Sequence, residues 1–381
     1  MHCSYPIRSI TPELLQTPFR RSFSHASATR DHTETLLVRI ELEKGQIGFG
    51  ESCPRSYVTG ENLQTAMVFC QYAMAEVVAQ VSDMKSLRHW VQCNRTFIDK
   101  NPAAWCALEL ALLDAFSRAA GKSVEQCLEL PSITGREFRY SAVLDNSSPP
   151  AFESMLNGYL SLGIRDFKLK LSGDFGSDNV KIAALRRKAV KYRLRLDGNN
   201  LWHNSATAID YLKRLGSPLY AVEEPVQAGD YEAMAEIAAA VGCKIILDES
   251  FLTLGCLEKL KPFTPQPWLL NLRVSKLGGL LRSIEILDRA RELGIPVIIG
   301  AQVGETSLLS RVALTLASRA GPLLIAQEGA FSILLLRDDI FHPNLMFGRG
   351  GRLTLQVGPL GFGMQRALRQ TIVNENEPGG N

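Results

Sequence analysis

Five charged residues recur in this chain at nearly constant intervals. They are Lys170, Asp197, Glu223, Asp248 and Lys276, separated by 27, 26, 25 and 28 residues. Lys168 precedes the first by two, so on an extended strand Lys168 and Lys170 point to one face. Three of the five are carboxylates, and carboxylates gathered at one site repel unless they share a cation. An oxygen-only donor set without histidine or cysteine suits Mg²⁺, with Mn²⁺ as the alternative, rather than zinc. Lysine, with an ordinary pKa near ~10.4, becomes a usable base when burial or a second ammonium lowers that value. The set therefore predicts removal of a proton from the carbon beside a carboxylate. A metal would stabilise the resulting anion, with Lys170 and Lys276 as acid/base groups on opposite sides.

The interval is that of one strand plus one helix. Short apolar runs at 140–144, 166–171, 193–197, 220–223, 244–248, 269–274, 296–300 and 323–326 read as strands. Helical patterns fall between them, for example at 179–191, 206–215, 231–241, 281–293 and 307–320. Eight strands alternating with helices predict parallel pairing and a closed α/β barrel of TIM type. No GxGxxG turn comes after the first of these strands, which argues against an open nucleotide-binding sheet. In such barrels the site forms where the strands end, and each of the five charges ends a strand or lies just beyond one. The first third reads differently: a strand at 35–42, a turn at 45–48, a return strand at 47–51, then helices at 62–81 and 102–120. That order predicts a separate α+β domain.

Composition excludes several classes. Lys and Arg number 42 and Asp and Glu 39, a net charge of +3, with no long basic run to suggest a nucleic-acid partner. No apolar stretch approaches the roughly 18 residues a membrane span needs, and the N-terminus lacks a signal-peptide pattern. The eight cysteines form no CxxC pair and read as buried thiols, which suits a reducing cytoplasm. The tail, 374–381, reads as disordered.

The motifs FKLKL, RLDGNNLW, VEEPV, ILDES and RVSKLGG together resemble the enolase superfamily, specifically its muconate-lactonizing (muconate cycloisomerase) subgroup. That subgroup carries KxK, D-x-N, E-[EQ]-P, D-E-S and a lysine on successive strands. The resemblance implies a modified (β/α)₇β barrel at 136–346 beneath an N-terminal capping domain at 1–135, with 347–381 returning to the cap. It implies Asp197, Glu223 and Asp248 as metal ligands and Lys170 and Lys276 as catalysts, with Lys168 stabilising the anion and tuning Lys170. It also implies a small carboxylate substrate and a homo-oligomer. Two departures narrow the reading. None of the six histidines lies after the seventh strand, as mandelate-racemase-type sites require, and the eighth strand carries Ala326-Gln327-Glu328-Gly329 instead of the D-x-D common in dipeptide epimerases.

Specificity is expected from two cap segments, 17–29 with Arg20 and His25, and 51–61 with Arg55 and Tyr57. Their arginines could hold a second carboxylate. Asn199 and Glu305 are further candidate substrate contacts. Cycloisomerisation, epimerisation or racemisation, and syn-dehydration of the o-succinylbenzoate-synthase kind would all use this site. A Schiff-base aldolase-like barrel and a non-catalytic binding protein are the readings from other classes.

Overall fold

The computed structural model describes residues 4–25, 28–216 and 218–367, with main chain only at 21–25 and 28–29. Five strands open the chain: β1 (Ile7–Leu15), β2 (Pro18–His25), β3 (Ala28–His32), β4 (Thr35–Leu42) and β5 (Ile47–Ser52). β1, β4 and β5 form an antiparallel sheet with β4 central. Its β4 and β5 pack on the helix Pro102–Ala119, which begins with proline at its first turn and is buried over most of its length. Gly48 and Gly50 make that approach possible, because a Cβ at either would collide with the helix backbone at Ala111 or Ala107. The cap segment 17–29 is mostly the hairpin β2–β3.

After β6 (Glu137–Arg139) the barrel strands come in order. They are β7 (Ala142–Leu144), β8 (Asp166–Lys170), β9 (Arg193–Asp197), β10 (Ala221–Glu223), β11 (Lys244–Leu247), β12 (Trp268–Leu272), β13 (Val297–Ile299) and β14 (Leu324–Gln327). Each pairs in parallel with the next, in one eight-stranded sheet. The sheet curls until its ends meet: the Ser141 N–H donates to Gln327 O at 2.8 Å. Among the described residues seven helices separate these eight strands, the shortest being Cys256–Leu260. The (β/α)₇β arrangement is therefore present. Ala221, Ile246, Leu269, Ile298 and Ala326 fill the barrel as their own apolar layer. Side chains two residues further along each strand consequently face the upper mouth.

Residues 352–364 return to the cap. β6 pairs with Arg352–Thr354. Asp114, on the cap helix, accepts from Phe49 N at 3.1 Å and Phe362 N at 2.8 Å, and Arg118 donates to Met364 O at 2.7 Å. Residues 374–381, read as a disordered tail, lie outside the described residues. Among the described residues no helix is long and apolar enough to cross a membrane, and the cysteines are unpaired thiols.

Candidate active site

Strand register explains how distant residues reach one level. Lys170 is paired with Asp197, and Asp197 with Glu223. Asp248 stands two residues beyond Ile246, the partner of Glu223. The turns after β9 and β10 hold left-handed backbone at Asn199 (φ 46°), Asn200 (φ 58°) and Glu224 (φ 37°), which aims the preceding carboxylates into the mouth. Asn199 Nδ2 donates to Asp197 Oδ1 at 2.7 Å, so it orients that carboxylate. Glu224 accepts from the N–H groups of Asp248 and Ser250 and from Ser250 Oγ, all within 2.7 Å, and so fixes the turn after β11.

The cations interleave with the acids. Lys168 Nζ lies 2.7 Å from Glu223 Oε2, 3.3 Å from Asp197 Oδ2 and 3.3 Å from Glu328 Oε2. Burial works against its charge, but the three carboxylates outweigh burial and raise its pKa. Lys170 Nζ lies 3.7 Å from Asp197 Oδ2, and its side chain keeps 12% of its surface open. Burial, aided by the Lys168 ammonium and opposed by Asp197, lowers the Lys170 pKa, which moves it toward service as a base. Both lysines line a pocket at the barrel mouth, together with Arg273, Glu305, Glu328 and Tyr57.

Lys276 does not line that pocket. Its ammonium is fully buried and donates to Asp248 O (2.7 Å), Asp248 Oδ1 (2.9 Å) and Asn271 O (2.8 Å). The two lysines expected to face each other are thus placed differently: Lys170 opens onto the pocket and Lys276 is buried against Asp248. The inward positions of β12 are Leu269 and Asn271, and Arg273 follows one residue past the strand's end. Arg273 Nη2 pairs with Asp248 Oδ2 and lies 3.6 Å from Glu223 Oε1, while Nη1 donates to Gln302 Oε1 at 3.0 Å. The signal for Arg273 was in the spacing. From Asp248 the step to Arg273 is 273 − 248 = 25, in line with the preceding steps, whereas Lys276 requires 28. Arg195, for which the motifs gave no signal, is fully buried below the mouth and donates to Glu328 Oε1 at 2.5 Å and Ser141 Oγ at 2.6 Å.

The cap candidates divide. Tyr57 reaches the pocket. Arg55 is buried and donates to the carbonyls of Glu34, Pro54 and Val303, so it anchors the loop after β13 instead of presenting its charge to a substrate. Arg20 donates to the carbonyls of Ile333, Leu336 and Arg337 and pins the hairpin to the segment whose Leu334 and Leu335 line the pocket. The His25 side chain lies outside the described residues. Glu305 lines the pocket and accepts from Gln302 N at 2.6 Å; burial pushes its pKa up to about 8.

The donor set Asp197, Glu223 and Asp248 fits a hard cation in chemistry, being oxygen-only and buried on adjacent strands. Each carboxylate is turned toward Lys168, Arg273 or Lys276, and among the described residues no three acidic, His or Cys side chains converge on one point. Binding an ion would therefore require these carboxylates to exchange ammonium or guanidinium partners for it.

Two family descriptions match: "Mandelate racemase / muconate lactonizing enzyme, N-terminal domain" over residues 10–128 and "Enolase C-terminal domain-like" over residues 152–367. The chain belongs to the enolase superfamily. Within it, this member is similar to the L-Ala-D/L-Glu epimerase of Bacillus subtilis (strain 168), 26% identical over 360 residues, spanning 92% of this chain and 94% of that protein. It is also similar to the N-succinyl-L-Arg/Lys racemase of Bacillus cereus, 24% identical over 301 residues, 78% of this chain and 79% of that protein. Among solved structures, the Enterococcus faecalis V583 dipeptide epimerase complexed with Mg and the dipeptide L-Leu-L-Tyr superposes with a TM-score of 0.80 at 22% identity, covering 95% of this chain and 100% of that one. These curated relatives are isomerases, and this superfamily member is an enzyme like them.

Proposed function

We propose that this enzyme removes the α-proton of a small carboxylate substrate, a dipeptide or N-acylated amino acid, with Lys170 as the base. The observation that carries the proposal is Lys170 itself: a pocket-lining amine of lowered pKa, beside Asp197 and level with Glu223 across adjoining strands. Asp197, Glu223 and Asp248 would hold Mg²⁺, with Mn²⁺ as a substitute. Bound there, the ion supplies Lewis-acid stabilisation of the negative charge that develops on the substrate carboxylate. Lys168, which also pairs with Glu328 at 3.3 Å outside the metal set, stays cationic and adds a positive charge near the same oxygens. Lys170 Nζ takes the proton as the C–H electron pair moves into the carboxylate to form an enediolate. Tyr57, Leu334 and Leu335 line the pocket in which that step would occur. The relatives' names support this first step, which epimerisation and racemisation share.

Calorimetric titration of metal-stripped protein with Mg²⁺ tests the metal assignment. One site is expected, weakened about 10-fold or more in Glu223→Gln. Equal affinity in the variant, or no binding by the wild-type chain, contradicts it.

A further inference from the structure

We infer that this site handles the α-proton on one face only, because the residue across from Lys170 is Arg273, whose guanidinium clamps an anionic group of the substrate. The inference rests on the proton-abstraction reading above and concerns the fate of the enediolate. β8 and β12 stand four apart in the eight-membered ring, so side chains from their upper ends oppose each other across the mouth. Among the described residues the pocket-lining lysines are Lys168 and Lys170, both on β8. The opposite wall presents Arg273, with 13% of its side chain open.

A guanidinium keeps its N–H protons throughout the accessible pH range and offers five donors in a planar fork. It suits a carboxylate and cannot serve as the second base. Lys276, three residues further on, already directs its three donors at Asp248 O, Asp248 Oδ1 and Asn271 O. Gln302 accepts from Arg273 Nη1 at 3.0 Å and gives its own N–H to Glu305 Oε1 at 2.6 Å, so Glu305 braces the clamp.

On the Lys170 face the C–H bond breaks, the proton joins neutral Nζ, and the electron pair enters the carboxylate. The Arg273 face supplies no proton. The proton, or a deuteron acquired from solvent at Nζ, returns to the face it left. Alternatively, the electron pair forms a double bond to the β-carbon while a group there departs with its own bonding pair.

The test is enantiomer-resolved exchange in D₂O with Mg²⁺, using the D and L forms of a panel of N-succinyl amino acids and dipeptides. Deuterium is expected in one enantiomer with configuration retained, about 100-fold faster than in its mirror form. Arg273→Lys, which places an amine on the silent face, is expected to raise exchange of the slow enantiomer about tenfold or more. Exchange of both enantiomers with inversion in the wild type overturns the inference alone. If that inversion also disappears in Glu305→Gln, the second proton belongs to Glu305 instead. Absence of exchange in either enantiomer of every compound overturns the proton-abstraction reading together with the inference. Should Arg273→Lys fail to fold, the wild-type isotope pattern decides.

Discussion

Asp248 is held from two sides, by Arg273 at Oδ2 and by Lys276 at Oδ1. Removing Lys276 takes a positive charge from the neighbourhood, which favours a metal ion, but it also frees the carboxylate to turn. Loss of such orienting partners commonly costs about 10–100-fold in metal affinity, so orientation should win. Lys276→Met should bind Mg²⁺ about 10-fold more weakly in calorimetry while the enzyme stays folded; unchanged affinity would mean that Lys276 does not position Asp248. The carboxylates are readable from sequence because Asp197 and Glu223 end strands and Asp248 lies one residue past one. Arg273 is harder to read, because a lysine three residues later matches a familiar motif while departing from the strand period. Strand register, more than residue type, locates the side chain that faces the mouth.

At the scale of elements, cap carboxylates seat barrel helices. Glu51, on β5, accepts from Thr306 N (2.7 Å), Thr306 Oγ1 (2.5 Å) and Leu309 N (3.1 Å) at the start of the helix Ser307–Ala320. Glu109 accepts from Leu281 N at 2.9 Å at the start of the helix Leu280–Glu292. Both satisfy N–H groups that a helix terminus leaves open. Burial raises each pKa from 4.5 to about 7, with those hydrogen bonds opposing. A raised carboxyl pKa means the folded protein binds more protons than the unfolded chain. The resulting stability is fully present below the ordinary value of 4.5 and is lost as pH climbs through about 7. Urea midpoints should therefore decline across that window, and Glu51→Gln, which cannot ionise, should show a shallower decline. Superimposable pH profiles would contradict this. None of these caps is visible in sequence, since Glu51 and Thr306 are 255 positions apart and Glu109 and Leu281 are 172 apart. The hairpin β2–β3 is equally hidden, being held by Arg20 on carbonyls more than 300 residues away.

For the whole molecule, alternating strands and helices make the barrel legible in the sequence, because each β/α unit repeats the same apolar period. The way the cap sits on it is not legible, because that depends on pairs such as Glu125 with Arg311. In this buried pair Arg311 Nη2 donates to both Glu125 oxygens at 3.0 Å, and Thr315 Oγ1 adds a 2.6 Å hydrogen bond to Glu125. Glu125→Ala would strand a guanidinium in the interior, at a cost of about 3–5 kcal/mol in unfolding free energy. Neither partner lines the pocket, so turnover of the folded variant should match the wild type. Chemical denaturation together with kcat at low temperature checks both halves, and stability within about 1 kcal/mol of the parent would contradict a structural role for the pair.

Every step proposed for this enzyme depends on Lys170 removing an α-proton. The decisive measurement is deuterium incorporation at the substrate α-carbon in D₂O with Mg²⁺, comparing the wild type with Lys170→Ala on N-succinyl amino acids and dipeptides. Incorporation by the wild type is expected, with a rate about 10²–10⁴-fold lower in a variant that folds and still binds Mg²⁺. Equal rates in the two proteins, or no incorporation by the wild type with any member of the panel, would contradict that role for Lys170.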